Sequence, residues 1–362
     1  MYVGDTGGYG LHRLPLLLLQ AGAAAARDGR GDEVLLHLEE GGACTFSFNG
    51  PLWPSKLVPE PPGDSLARLF TLANVDLLAP RPEGAPETFL LASAHEDLAL
   101  INALSSELEV TTGSGGTAWQ QAFRCGEPSG PLREVPAPEG AQPFFRGTRI
   151  RFVPDRSIFE RTWLSSMGLS WRMEELAALH ERISFRLRDD VRQQEVHHCF
   201  ERGLVDYAAR LSAPALPLHA PWSFEGRHGT TRIRLALQWC GAPGIRVLSW
   251  VNQFRASGGT HLKGLPHAIQ HSLYPYAEAV GRMSEFSAYI PSVIMEGLTV
   301  LLEVTVLQPI WLGPVKGEFA NEECEFDVAR LVQEWLSKRF EEEPRIAGQI
   351  LDHVIGRYVA RG

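Results

Sequence analysis

The sequence predicts an α+β chain in two globular units, and three observations carry that expectation. Stretches with helical spacing interleave with short strand-like runs along the whole length. At 362 residues the chain is too long for one small core. A hydrophobic fraction of 44%, with nine Trp, is that of a chain that buries a core and not of a disordered one.

Residues 14–26 (LPLLLLQAGAAAA) read as a buried helix. They have the look of a signal-peptide core, but Asp5 and a single Arg13 precede them, and Pro15, Gln20 and Gly22 interrupt the run. Residues 33–38 follow as a strand. Residues 54–64 (PSKLVPEPPGD) form a Pro-rich loop, 66–78 have helical spacing, and 81–87 form another loop. Residues 98–104 are helical and lead into a strand at 108–112. Residues 113–116 (GSGG) sit between two strand-like runs and read as a hairpin turn; a phosphate loop would need a helix directly after it. Residues 127–143 are rich in Pro and Gly, 148–153 alternate as a strand, and 173–182 are helical.

The second unit starts near residue 200, which gives domains of 1–200 and 201–362. Its strands are 231–239 (TRIRLALQW), 245–251 and the β-branched run 298–307. Its helices are 262–280 and 327–358, the latter broken near Pro344.

Composition removes several classes of function. No apolar run reaches the roughly 20 residues of a membrane-spanning helix. The net charge of −9 leaves no global basic surface, so a nucleic-acid contact needs a local patch. Cys44, Cys125, Cys199, Cys240 and Cys324 are scattered and odd in number, which fits a reducing cytoplasm better than a disulfide framework or a zinc ribbon.

Six collinear stretches are specific together: MYVGDTGGYGLHRL (1–14), INALSSELEV (101–110), GTRIRFVPD (147–155), ALQW (236–239), SGGTHLKG (257–264) and EGLTVLLEV (296–304). Their order and spacing resemble the N-terminal half of DNA gyrase B and its topoisomerase IV counterpart. The resemblance implies a GHKL (Bergerat) α/β sandwich in the first unit. It implies a transducer domain of the ribosomal-protein-S5 domain-2-like fold in the second.

The family's chemistry departs at each motif. Its first helix resembles VYEVVDNSIDEA, where Glu activates the attacking water and Asn holds Mg²⁺. The same register here reads PLLLLQAGAAAA, so Leu17 stands in the place of the Glu and Ala21 in that of the Asn. Hydrocarbon neither takes a proton nor ligates a hard cation. The motif resembling DNGRGIP, whose Asp accepts from the adenine amino group, reads FNGPLWP (48–54), with Phe48 for the Asp and Pro51, Leu52 and Trp53 after Asn49 and Gly50. The two outcomes for Leu17, Ala21, Phe48 and Trp53 are a solid core or an apolar pocket for a different ligand. The Gly-rich lid, which cradles phosphates with backbone N–H groups, reads LLASAHEDLALINALS (90–105) and puts Glu96 and Asp97 where phosphates would lie. The loop resembling GQTKTKLGN reads GPVKGEFAN (313–321) and keeps only Lys316 of its Gln-Thr-Lys trio. Thr148, matching an adenine-side position, is retained.

Loss of a general base alone costs about 10²–10⁴ in rate. The expectation is therefore a pseudo-ATPase without nucleotide or metal cofactor, acting as a binding, scaffold or regulatory protein on its own copies, gyrase subunits or DNA, and not on a membrane. The alternatives are a type II topoisomerase ATPase module that uses ATP and Mg²⁺ with Glu96 or Asp97 near the γ-phosphate, and a regulator that binds gyrase or DNA. In the family an arm precedes the MYVGDT stretch and wraps the partner protomer; here Met1 opens inside that motif, so clamp closure through an arm is not expected.

On the same resemblance, Arg232, Arg234, Arg255 and Lys263 are the candidate DNA contacts, weighed against ordinary solvated surface. The run His197-His198-Cys199 could suggest a metal, but consecutive strand residues point to opposite faces. Ser157 and Ser184 show no His or Asp partner in the sequence, and His261 matches a structural position.

Overall fold

The computed structural model describes residues 4–55, 58, 61–71, 98–114, 117–136, 147–286, 294–313 and 317–359. The chain divides into two compact units, Met1–Glu201 and Arg202–Gly362.

The first unit is a sheet faced by helices. Helix α1 (Gly8–Arg27) opens it. The Asp5 carboxylate accepts the N–H groups of Gly7 and Gly10, at 2.9 and 2.8 Å, and so satisfies donors that the first turn leaves over. The helix ends in a Schellman arrangement: the Gly29 N–H reaches Ala26 O and the Arg30 N–H reaches Ala25 O, with Gly29 at φ +73. Leu11, Leu14, Leu18 and Ala25 are fully buried.

The strands are β1 (Glu33–Leu38), β2 (Cys44–Phe48), β3 (Ser105–Ser114), β4 (Thr117–Arg124), β5 (Glu127–Pro128), β6 (Arg133–Pro136), β7 (Gly147–Pro154), β8 (Ser184–Asp189) and β9 (Gln194–His198). Their order is β5-β4-β3-β7-β2-β1-β8-β9, with β6 paired to β4. All described pairs are antiparallel except β1 with β8. Strict alternation in β1 turns Val34, Leu36 and Leu38 inward and leaves Glu33, Leu35 and His37 half-buried. Helices α2 (Ser65–Thr71) and α3 (Ser166–Leu179) complete the described helices, with residues 98–103 also helical.

The second unit starts with α4 (Leu204–Ser212). Its main sheet takes the order β10-β11-β15-β12-β13, from β10 (Trp222–His228), β11 (Thr231–Trp239), β12 (Arg246–Val251), β13 (Phe254–Ala256) and β15 (Leu298–Thr305). The short strands β14 (Gly258–Gly259), β16 (Trp311–Leu312) and β17 (Glu318–Phe319) form a separate ribbon. Ile233, Leu235, Leu237 and Trp239 of β11 share one core with α5 (Thr260–Ala279), α7 (Glu323–Glu342) and α8 (Pro344–Val359). The four-residue α6 (Met283–Phe286) adds Phe286 to it. Leu204, Tyr207 and Ala208 of α4 are buried outside that core, against the other face of β11 and β15.

The long elements stand near their expected places. The helix expected at 327–358 is two helices meeting at Pro344, where the ring removes a backbone donor. Of the expected turn at 113–116, Gly113 and Ser114 end β3 and Ser114 pairs with Thr117 of β4, while residues 115 and 116 lie outside the described residues. Helix α3 begins seven positions earlier than the periodicity indicates, because Met167 and Trp171 are apolar residues on its outward side. Of the expected helix 66–78, the described part ends at Thr71. Strands β2, β8, β9 and β10 and helix α4 had no clear sequence signal.

Candidate functional site

Leu17 and Ala21 stand on α1, which packs against β1 and β2, and Phe48 stands at the end of β2. Leu17 is 5% exposed, and Ala21 is half-buried on the same helix. One residue on, Gly22 lets the helix approach Phe46; a Cβ there would lie 2.9 Å from the ring.

Phe48 ends β2 with 2% exposure, and its ladder partners are Val34 on β1 and Thr148 on β7. The segment after it folds down onto the protein. The Asn49 Oδ1 accepts the N–H groups of Asp32 and Glu33 at 2.9 and 3.0 Å, and its Nδ2 donates to Asp32 Oδ1 at 2.6 Å. Gly50 is packed on backbone: a Cβ would fall 1.7 Å from Arg30 O. The Arg30 guanidinium donates to Leu52 O and pairs with Asp28 at 2.7 Å. The Leu52 N–H donates to Thr148 Oγ1 at 3.1 Å, and Thr148 Oγ1 lies 3.4 Å from Gly50 O. Trp53, 4% exposed, sets its edge on Phe70 at 6.0 Å between centroids, and Phe70 lies 5.5 Å from Phe123.

The donor set here is apolar. Neither Leu17 nor Phe48 can accept a proton or an amino hydrogen bond, and Ala21 offers Mg²⁺ no oxygen. These positions do not fit Mg-ATP as the family holds it. The Thr148 hydroxyl is engaged by the chain itself. Lys316, Glu96 and Asp97 lie outside the described residues.

Sequence reasoning read Asn49 and Gly50 as remnants of a motif and gave Arg30 no role. In the structure the three lock residues 48–53 in place. The signal was local: a Gly after Asn at a strand end marks a tight turn, but the partner strand that it meets is not legible.

The other polar candidates separate. His197 and His198 take different partners: His197 Nε2 lies 2.9 Å from Ser184 Oγ, and His198 Nε2 lies 2.9 Å from Ser170 Oγ. Ser184 therefore does have a histidine, reached diagonally across the β8–β9 ladder, which the sequence did not reveal. Glu174 Oε1 is 3.8 Å from His198 Nδ1, and burial, then His197, holds the His198 pKa below its ordinary value. Ser170 lies inside α3, where backbone N–H groups serve the helix and none is left for an oxyanion; the trio ties edge strand β9 to α3. Among the described residues no three His, Cys, Asp or Glu side chains form a metal cluster.

In the second unit, Arg234, Glu303, Trp250 and Arg255 lie in one row across the sheet. Arg234 Nε donates to Glu303 Oε2 at 2.7 Å, and Glu303 is 4% exposed. Arg232 pairs with Glu225 at 2.8 Å. The Arg255 guanidinium lies 5.5 Å from the Trp250 ring centroid, and burial holds its pKa below the usual arginine value. Lys263 is exposed on α5, which packs on the opposite face of that sheet. The structure thus places the three arginines on one sheet face and Lys263 elsewhere. His261 is fully buried with Nε2 2.9 Å from Ser249 Oγ, a packing role.

Residues 203–362 match the family model described as DNA gyrase B. The organellar DNA gyrase B of Oryza sativa subsp. japonica is 27% identical over 360 residues, covering 97% of this chain and 49% of that protein. The chain spans about half the length of the curated relatives it matches. The 43K ATPase domain of Thermus thermophilus gyrase B, solved with an aminocoumarin, superposes with a TM-score of 0.78 at 26% identity, covering 100% of this chain and 94% of that one. Gyrase B of Myxococcus xanthus gives 0.80 at 27%, covering 98% and 96%. The chain resembles the ATPase half of gyrase B along nearly its whole length, and its fold is the GHKL sandwich followed by the transducer domain.

Proposed function

We propose that this gyrase-B-like module neither binds nor hydrolyses Mg-ATP and works as a binding, scaffold or regulatory protein. One observation carries the reading: the positions of the base, the metal ligand and the adenine acceptor hold Leu17, Ala21 and Phe48, and Phe48 is 2% exposed beside a Thr148 hydroxyl engaged by Leu52. Protein partners, including a second copy or gyrase subunits, and a cytoplasmic setting fit this reading. No described helix is long and apolar enough to cross a membrane. The test is phosphate release from Mg-ATP, with a gyrase B ATPase fragment as control. The expected result is no release above the protein-free blank. Turnover that disappears on mutating Glu96 or Asp97 would establish the alternative, a topoisomerase-type ATPase with a displaced base.

A second reading, contact with DNA through the transducer unit, is favoured by how charge is distributed. Residues 1–201 carry 18 basic against 27 acidic side chains, and residues 202–362 carry 16 of each. A polyanion is repelled by the first unit and not by the second. Lys263 is exposed, whereas Arg232 and Arg234 would have to exchange Glu225 and Glu303 for phosphate. This reading predicts duplex binding that weakens steeply with salt and loses affinity in Lys263→Gln, measured by fluorescence anisotropy.

A further inference from the structure

Helix α5 carries two histidines whose ring nitrogens the protein does not use. Its burial pattern turns Gly264, Ala268 and Ser272 inward and leaves Lys263, His267 and His271 exposed, one every four residues. Residues so spaced share one stripe of a helix, with Cβ atoms about 5–6 Å apart. Each of the other described histidines is buried or gives a ring nitrogen to a hydrogen bond. Neither His267 nor His271 has a hydrogen-bond or ion-pair partner among the described residues.

The turn that joins the two is firmly held. The inward side of α5 meets α7 so closely that a Cβ at Gly264 would fall 2.4 Å from Glu325 O, and Ser272 Oγ lies 3.2 Å from Gln333 O. Pro266 and Pro275 remove the donors that would reach Leu262 O and His271 O, whereas a helical bond from the His271 N–H to His267 O involves neither. The His271 ring stands edge-on to Tyr274, with 5.6 Å between centroids. Tyr274 in turn packs edge-on against Phe286 at 5.3 Å, and its hydroxyl accepts from Gln270 Nε2 at 2.7 Å. One ring is thus positioned by its neighbours, a single turn from the other.

An imidazole nitrogen outside any hydrogen bond keeps the lone pair that a metal needs. Two at this spacing can close on one ion at about 2.0–2.1 Å each, as the two histidines of a helical zinc motif do. Imidazole suits Zn²⁺, Ni²⁺ or Cu²⁺, whereas Mg²⁺ and Ca²⁺ take oxygen ligands. Lys263, one turn before His267, is a cation and adds no ligand. The rings of His197 and His198 are engaged by different serines and offer no such pair.

We propose that His267 and His271 chelate a divalent first-row transition metal on the surface of the transducer unit, with water in the remaining positions. The site lies outside the nucleotide motifs and does not depend on whether they bind Mg-ATP.

The test is calorimetric titration of the full chain with Ni²⁺. The parent should bind one equivalent more than His267→Gln/His271→Gln, and excess Ni²⁺ should raise its melting temperature further than that of the double variant. His267→Gln and His271→Gln alone should each weaken the site by at least about tenfold, because the chelate needs both rings. Lys263→Gln should leave it as tight or tighter, since a like charge is removed. An unchanged stoichiometry in the double variant, an unchanged affinity in either single variant, or equal binding of Mg²⁺ at the same residues would overturn the proposal.

Discussion

Phe48 concentrates the argument at the residue scale. A carboxylate at its position would be buried to 2% beside Thr148, whose hydroxyl already serves Leu52. On the proposed reading, the burial of Phe48 also makes the family's carboxylate hard to restore. Phe48→Asp should destabilise the first unit by at least about 3 kcal/mol, from the lost ring and an unpaired buried acid, in chemical denaturation. Leu17→Glu/Ala21→Asn/Phe48→Asp should gain no nucleotide affinity. A folded triple variant that binds Mg-ATP would mean that the cavity survives and only its donors were lost. The identities at 17, 21 and 48 were legible from the motif register. The roles of Asn49 and Arg30 were not, because their partners lie across the β1–β2 turn and in the loop after α1.

At the scale of elements, the sheet row Arg234–Glu303–Trp250–Arg255 shows how a basic run read from sequence can become structure. Alternation in β11 sends Arg232 and Arg234 to the face opposite the main core, as period two requires. It does not reveal that Glu303 of β15 stands in register with Arg234. Glu303→Ala should cost about 3 kcal/mol by removing the buried carboxylate that Arg234 pairs with, while Arg234→Met/Glu303→Leu should recover most of that loss. If Glu303→Ala melts like the parent, the pair is a surface contact and Arg234 is available to phosphate. Strands with strong alternation or β-branched runs were legible for the same reason: β1, β7, β11 and β15 carry their pattern locally. Strand β9, at a sheet edge and largely exposed, and the short α4 have no buried periodicity long enough to read.

At the scale of the molecule, acid should act on the transducer unit through its buried histidines. Burial pushes His219 and His261 each down to about 4. The unfolded chain, with histidines near 6.5, binds more protons between those values, so stability is full above about pH 6.5 and lost as pH falls toward 4. The loss approaches about 3 kcal/mol per histidine. Melting temperature measured from pH 7 to pH 4.5 should drop steeply, and His261→Asn should flatten the slope; an unchanged slope would show that these rings are hydrated. The division near residue 200 was legible in the pattern of strands and helices and the order of the two folds in the collinear motifs, whereas the exposure of Trp163 and Trp171 was not, since exposure is not written in a sequence. The central claim is that the gyrase-type nucleotide site is closed to nucleotide. Calorimetric titration of the chain with a non-hydrolysable ATP analogue and Mg²⁺, beside a gyrase B ATPase fragment, tests it most directly. The account predicts no binding heat and no shift in melting temperature, and saturable micromolar binding would contradict it.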